Sequence, residues 1–349
     1  MIILFGASGD IHKKKVYPSL LNKFMKEGLN RVFGIGRTNF SDEEYKNLIL
    51  RSISNCFITE EMKMNYVNKF SYIKGDYGDD RLYRELRYIL SSILDEGIEI
   101  RIYCGVPSEI MIKIIKGFVR AGIQDIFKLI FLIEKPLGNS LKEYNKYYNK
   151  IYKYKLIENI RLIDHYLAKD CISNLKDITN EGNIKSIDIN IYEKEGVDHR
   201  IGYFDNVGLI KDMFQGHIMC IIMKLIGNRY KYLRLGEISK QILKQYYEYL
   251  GKNSTETYFR LVLYWRNIMI NVECGKKLKE DKKEIIISYN DENDKKVIKI
   301  NSSPFDYEYM FKDKLNNSLF CVDNDNRVAW KKTDEILEKI NNVIIVEKY

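Results

Sequence analysis

Residues 164–169 read Asp-His-Tyr-Leu-Ala-Lys, and residues 211–217 read Lys-Asp-Met-Phe-Gln-Gly-His. The chain has 4 histidines, His12, His165, His199 and His217, so two of them in carboxylate-bearing segments narrow the chemistry. An imidazole beside an acidic group is what proton abstraction near neutral pH requires. His12 and His199 sit in charged surroundings and read as ordinary surface residues.

A second constellation opens the chain. The apolar run Ile2–Phe5 leads into Gly6-Ala7-Ser8-Gly9-Asp10, and a helical pattern follows. Glycines at such a turn let the backbone approach a pyrophosphate, whose charge the N-terminus of the next helix favours. The spacing is G-x-x-G, so its weight comes from its place directly after a strand. With the histidine segments it suggests a dehydrogenase acting on a phosphorylated sugar. The second strand ends in Gly36-Arg37-Thr38, with no carboxylate until Asp42. An acidic residue there would take the ribose 2′-hydroxyl of NAD, whereas the guanidinium fork of Arg37 suits a 2′-phosphate. NADP is therefore expected over NAD.

These residues need elements to hold them. In the first half, short apolar runs (Met1–Phe5, Arg31–Ile35, Phe70–Ile73, Ile98–Val106, Lys128–Glu134) alternate with helical patterns such as Lys14–Glu27, Leu82–Asp95 and Ser108–Ala121. That alternation predicts βαβ units and a parallel, Rossmann-like sheet. In the Tyr- and Lys-rich segment 141–155, Leu141, Tyr144, Tyr148, Ile151 and Lys155 fall at helical spacing, which predicts an amphipathic helix. After about residue 156 alternating strands dominate (159–165, 185–193, 258–265, 268–273, 284–288, 297–300), with one long apolar helical stretch over 208–226. The reading is a nucleotide-binding domain over 1–156 and an α+β domain with a large, mainly antiparallel sheet over 157–349. Residues 279–296 are charge-dense and read as an exposed hairpin or loop.

Composition bounds the partners. Lys plus Arg number 57 against 48 Asp plus Glu, a net charge of +9. The charge is dispersed, which suits phosphate-bearing small molecules and leaves no nucleic-acid reading motif. No apolar run reaches the roughly 18 residues of a membrane span. The start carries no basic lead or small-residue cleavage site, so no secretory signal is expected. The 6 cysteines are scattered without a C-x-x-C pair. That argues against zinc and for reduced thiols in the cytoplasm.

The segments GASGDIHKKKVYP (6–18), GIGRT (34–38), EKPLG (134–138), IDHYLAK (163–169), GYFDNVGLIKDMFQGH (202–217), ETYFRL (256–261) and CGKKL (274–278) occur in an order that resembles the glucose-6-phosphate dehydrogenase family. The resemblance runs from about residue 2 to residue 340 of a chain shorter than is usual there. It implies oxidation of glucose 6-phosphate at C1 to 6-phosphogluconolactone, with NADP as acceptor, in the pentose phosphate pathway. It also implies a homodimer or homotetramer. Carried over by position, His217 resembles the general base and Asp164 its orienting carboxylate. His165, Tyr166 and Lys169 resemble the sugar-phosphate pocket. Glu193, Asp212 and Lys276 match further substrate positions. Lys135 would lie between cofactor and sugar, with Lys15 nearby. Gly6, Ala7, Ser8, Gly9, Asp10, Arg37 and Tyr103 match cofactor positions.

Several residues depart from the pattern. Gly216 stands where asparagine is usual, Lys211 replaces an arginine, and Cys104-Gly105-Val106 alters a Leu-Ala-Leu stretch. Asp281 lies where a second basic substrate residue is often found, with Lys282 adjacent. His199 and Ile201 replace glycines, and the span 227–254 is compressed. Two other readings remain open. One is a sugar dehydrogenase of the glucose-fructose oxidoreductase type, which would oxidise the free sugar as well. The other is a non-catalytic sensor that binds NADP or a sugar phosphate without turnover.

Overall fold

The computed structural model describes every residue except 176, 179–182, 198–199, 237–241, 253–254, 292–293, 342–346 and 349. The chain forms two compact units. The first comprises Met1–Gly138, Lys142–His165 and Ser303–Cys321; the second comprises Asn139–Leu141, Tyr166–Ser302 and Val322–Tyr349.

In the first unit, β1 (Ile2–Phe5), β2 (Val32–Gly36), β3 (Phe70–Lys74), β4 (Glu99–Cys104), β5 (Lys128–Glu134) and β6 (Ile160–Ile163) pair in parallel. The sheet order is β14-β6-β5-β4-β1-β2-β3, where β14 (Phe320–Cys321) runs antiparallel to β6. All of β1 and β2 is buried, as expected of strands covered on both faces. Helix α1 opens with wide turns over His12–Val16 and continues as Tyr17–Glu27. Helix α2 (Asp42–Ser52) starts with a full Ser41/Glu44 capping box, which satisfies two helix-terminal donors at once. Helices α3 (Glu60–Val67), α4 (Asp80–Ile93), α5 (Ser108–Arg120) and α6 (Leu141–Lys153) follow. In α6 the buried positions are Tyr144, Tyr147 and Ile151, so Tyr147 takes the inward place expected of Tyr148.

The expected domain division at 156/157 differs from these units in three respects, the first being that Asn139–Leu141 groups with the second unit. Strand β6 continues the parallel sheet, and Ser303–Cys321 returns to the first unit. Arg101, on β4, donates to the backbone oxygens of Lys312 and Asp313, and Lys23 pairs with Asp313 at 2.8 Å. That stretch also buries Tyr307, Tyr309, Met310 and Phe311, a close-set cluster with neither helical nor strand periodicity.

In the second unit, the short helix α7 (Asp170–Ser173) precedes β7 (Ile184–Tyr192). A helical region follows: α8 (Ile201–Leu209), wide turns over Ile210–Ile218, and α9 (Met219–Ile226). Strands β8 (Arg234–Leu235), β9 (Ile242–Gln245), β10 (Tyr258–Trp265), β11 (Ile268–Gly275), β12 (Lys282–Tyr289) and β13 (Lys295–Lys299) come next, then α10 (Asp323–Asn341) and β15 (Glu347–Lys348). The main order is β13-β12-β7-β11-β10-β9-β15, with β8 on β10. Among the described pairings only β7–β11 and β9–β15 are parallel. Ile187, Ile189 and Ile191 are buried while Asp188, Asn190 and Tyr192 alternate with them at the half-exposed face, the period-two signature of a sheet with one packed face. The charge-dense stretch resolves into the β12–β13 hairpin. No helix among the described residues is long and apolar enough to cross a membrane.

Candidate active site

In the first unit, the sheet reverses direction of build-up between β1 and β4, and ligands of such folds bind at the carboxyl ends of those strands. Gly6 follows β1 at a φ of +80°, and a Cβ there would lie 2.6 Å from the Gly105 carbonyl oxygen. Only glycine fits both the left-handed backbone and that gap. The Gly6 and Ala7 amides donate to Ile35 at 3.0 and 3.2 Å, and the Gly9 amide donates to Gly6 at 2.8 Å. Ser8 and Thr38 hydroxyls lie 3.2 Å apart, so the glycine turn adjoins the segment bearing exposed Arg37. Asp10 pairs with Lys13 at the surface, 3.0 Å away. Lys15 donates to the Ser303 carbonyl at 2.9 Å and lies 3.6 Å from Asp306.

His12 overturns the expectation of a surface residue: its exposure is 0%. The wide first turns of α1 tuck the ring against Tyr103, centroids 5.1 Å apart, and the absence of a Cβ on Gly105 leaves it room. Burial pulls its pKa down to about 3, so the ring is neutral at physiological pH. Its flanking lysines mislead, because they point away from the side it buries. His199 lies outside the described residues.

Tyr103 is also fully buried, its hydroxyl donating to Glu134 at 2.8 Å. Tyr307 bonds the same carboxyl and stacks on His165, centroids 5.7 Å apart and planes within 19°. Burial pushes the Glu134 carboxyl up to about 7 against the pull of the two phenols, and the Asp164 charge adds to the rise. Lys135 Nζ stands 3.5 Å from Asp164 Oδ2, both side chains 0% exposed, and 3.2 Å from Cys321 Sγ. A buried pair of this kind is costly to break, because the remaining charge is stranded.

In the second unit, the Tyr166 ring stacks on half-buried His217, centroids 4.6 Å apart and planes within 25°. Lys169 Nζ lies 5.6 Å from the centroid of the same ring and donates to the Asn301 carbonyl at 2.8 Å. His217 closes the wide turns 210–218. On an ordinary helix residues five apart diverge by about 140°; turns closed by i to i+5 bonds bring them back onto one side. Asp212 and His217 therefore share a face. The helical stretch expected over 208–226 runs on from Gly208, whose φ of +72° sets it off from the preceding turns of α8, and its first turn is capped by Glu256, which accepts from the Ile210 amide at 2.9 Å. Gln215, fully buried, donates to Asn326 at 2.9 Å.

Glu193 is clasped by two lysines, Lys276 at 2.6 Å on one oxygen and Lys283 at 3.0 Å on the other. Burial raises its carboxyl, but the two ammoniums win and hold it near 2. Lys276 is 4% exposed, and the charges of Glu193 and Asp212 raise its pKa against burial. Sequence reasoning singled out Asp281 and Lys282 and passed over Lys283. Asp281 instead accepts from the Lys194 amide at 2.9 Å, and Lys282 pairs with Glu284 at 2.8 Å. The available signal was strand alternation: position 283 shares a side with 281, position 282 does not. Tyr307 and Cys321 were also missed, having no motif around them.

A glycine turn at the switch point of a Rossmann-ordered sheet, carried in one chain with a large mixed sheet bearing a lysine-clasped carboxylate, is the architecture of a two-domain nucleotide-binding protein. Residues 3–174 match the family described as glucose-6-phosphate dehydrogenase, NAD binding domain, and residues 173–244 match its C-terminal domain. The chain belongs to the glucose-6-phosphate dehydrogenase family. It is 26% identical over 342 residues to the glucose-6-phosphate 1-dehydrogenase of Borreliella burgdorferi, covering 82% of this chain and 70% of that protein. It is 31% identical over 237 residues to that of Buchnera aphidicola subsp. Schizaphis graminum, covering 63% of this chain and 48% of that protein. The chain thus spans about half to seven-tenths of the length of these relatives. A solved glucose-6-phosphate dehydrogenase in complex with glucose 6-phosphate shares the fold, with a TM-score of 0.84, 20% identity and coverage of 100% of this chain and 93% of that one.

Proposed function

We propose that the protein oxidises glucose 6-phosphate at C1 to 6-phosphogluconolactone with NADP, in the cytoplasm, as an early step of the pentose phosphate pathway. The observation that carries this reading is the Tyr166–His217 stack with Lys169 beside the same ring. It joins a half-exposed base to a cation suited to a phosphate. The Gly6 turn, packed so close to Gly105 that no Cβ fits, and exposed Arg37 suit a phosphorylated dinucleotide. Gly6, Ala7, Ser8, Gly9 and Asp10 would hold its pyrophosphate and Arg37 its 2′-phosphate, and Tyr103, whose hydroxyl is fixed on Glu134, is assigned to the cofactor side of the site. When bound, the dinucleotide accepts the hydride.

His217 takes the proton of the C1 hydroxyl, and Asp164 is assigned as the carboxylate that favours its imidazolium. His165, Tyr166 and Lys169 bind the sugar phosphate. Glu193 and Asp212 accept from sugar hydroxyls, with Lys276 beside them, and Lys135 and Lys15 complete the set. Lys283 joins these as the second ammonium fixing the Glu193 carboxylate. A homodimer or homotetramer would form through the half-exposed face of the second sheet. Purified protein given glucose 6-phosphate and NADP should generate NADPH absorbance. No signal would favour a binding protein without turnover, and equal rates with free glucose a sugar dehydrogenase of another type.

Two further outcomes are expected. Arg37→Ala should weaken NADP binding by about 1.5–3 kcal/mol, the worth of a charge-assisted hydrogen bond, and leave NAD binding unchanged, as read by fluorescence titration. Equal losses for both dinucleotides would remove Arg37 from the 2′-phosphate. Lys283→Met should raise the KM for glucose 6-phosphate by about tenfold, equivalent to roughly 1.4 kcal/mol, with the KM for NADP unmoved. Lys282→Met, on the other face of β12, is the control. If both variants behave alike, Glu193 does not depend on Lys283.

A further inference from the structure

We infer that Lys135 and Cys321 form a hydroperoxide-responsive modification site, closing a sulfur–nitrogen bond between Sγ and Nζ. The two atoms lie 3.2 Å apart, with the Lys135 side chain 0% exposed and Cys321 9% exposed. Three backbone elements of the first unit converge to hold them. Lys135 follows β5, Asp164 follows β6, and Cys321 is paired with Leu162 in the β14–β6 ladder. The amine cannot drift from the sulfur without breaking the contact with Asp164 Oδ2, 3.5 Å from the same Nζ. Cys321 is therefore one half of a fixed amine–thiol pair.

The chemistry balances in two steps. A hydroperoxide transfers one oxygen to Sγ: the S–O bond forms, the O–O bond breaks, sulfur loses two electrons, the peroxide gains them, and water leaves when the oxidant is hydrogen peroxide. The Lys135 ammonium gives one proton to the Asp164 carboxylate beside it, and the neutral amine so formed attacks the sulfenic sulfur. The S–N bond forms, the S–O bond breaks, and hydroxide leaves as water with the amine proton, for which the Asp164 carboxylate is the neighbouring carrier. The sum is thiol plus amine plus hydrogen peroxide giving a sulfenamide and two waters. Sulfenic acids are captured by a nitrogen held against them, and a nucleophile already in contact has a large effective concentration. Two equivalents of an added thiol reverse the step, regenerating amine and thiol and leaving with a disulfide between them. The functional consequence rests on the reading of Lys135 as a site residue: the linkage takes its donors and charge out of the site, and turnover stops until thiol restores them.

The test uses the full chain treated with hydrogen peroxide, digested without reductant and analysed by mass spectrometry. The expected product joins the peptide containing Lys135 to that containing Cys321, lighter than their sum by two hydrogen atoms and lost on adding dithiothreitol. Cys321→Ser and Lys135→Arg, each confirmed folded by circular dichroism, should not form it. Wild-type turnover should fall with peroxide and return with dithiothreitol, while Cys321→Ser keeps its own rate under the same dose. Cys321 carrying only added oxygen, or left unmodified, beside an unaltered Lys135 overturns the inference. Because the linkage is read by mass, its appearance in a protein without dehydrogenase activity supports the pair and counts against the proposed function alone.

Discussion

His217→Asn is expected to lower turnover by about 10²–10⁴, the usual worth of a positioned general base, while NADP affinity stays close to that of the parent. Asparagine is planar and near in size, so it can occupy the place against Tyr166 that the imidazole holds at 4.6 Å. It keeps a hydrogen-bonding tip but has no nitrogen that accepts a proton near pH 7. The loss is therefore one of proton transfer, seen in kcat, with little change in binding. Steady-state assay at the nicotinamide absorbance band gives kcat and KM, and a fluorescence titration gives the NADP affinity separately. Unaltered turnover would mean that the base is another group. A fall in NADP affinity of comparable size would mean that the substitution disturbed the fold.

A second large effect concerns pH. The Glu134 carboxyl is pushed up to about 7 from an ordinary value of 4.5, chiefly by burial. Between those values the folded protein keeps a proton that the unfolded chain has released. Stability from this group is therefore full below about 4.5, declines as pH rises and is lost above about 7, by up to about 3 kcal/mol at 1.36 kcal/mol per unit. Glu134→Gln is neutral throughout and can still bond the phenols of Tyr103 and Tyr307. The variant should match the parent near pH 4.5 and exceed it progressively toward pH 8. Urea titrations at several pH values check this, since titrating groups remote from Glu134 cancel in the difference. Parallel curves for the two proteins would show that Glu134 ionises normally.

Much of this arrangement was legible in the residues. The strands of the parallel sheet announce themselves as unbroken apolar runs because both faces are buried, and those of the second sheet as alternation because one face is. The histidine and lysine segments were legible because rare residue types stand at spacings that chemistry demands. Other features were hidden for physical reasons. His12 sits among lysines, and nothing local tells which side of a wide turn faces inward. Lys283 was obscured by its neighbours, although strand periodicity would have chosen it over Lys282. The segment 303–321 attaches through backbone oxygens, as at Arg101 with Lys312 and Asp313, and through the close-set buried residues Tyr307, Tyr309, Met310 and Phe311, which show no regular period to read. The wide pitch at 210–218 likewise depends on hydrogen-bond closure rather than composition.

That late return of residues 303–321 bears on how the molecule comes into being. The nucleotide-binding unit has its first six strands by residue 163, yet β14, Tyr307 and the partners of Lys23 and Arg101 emerge from the ribosome far later. Domains made during synthesis ordinarily complete themselves in order from the amino end. Here the earlier one must wait, its sheet edge at β6 bare, until residues 166–302 of the later one have been translated. Chaperone dependence during translation should accordingly concentrate on that exposed edge.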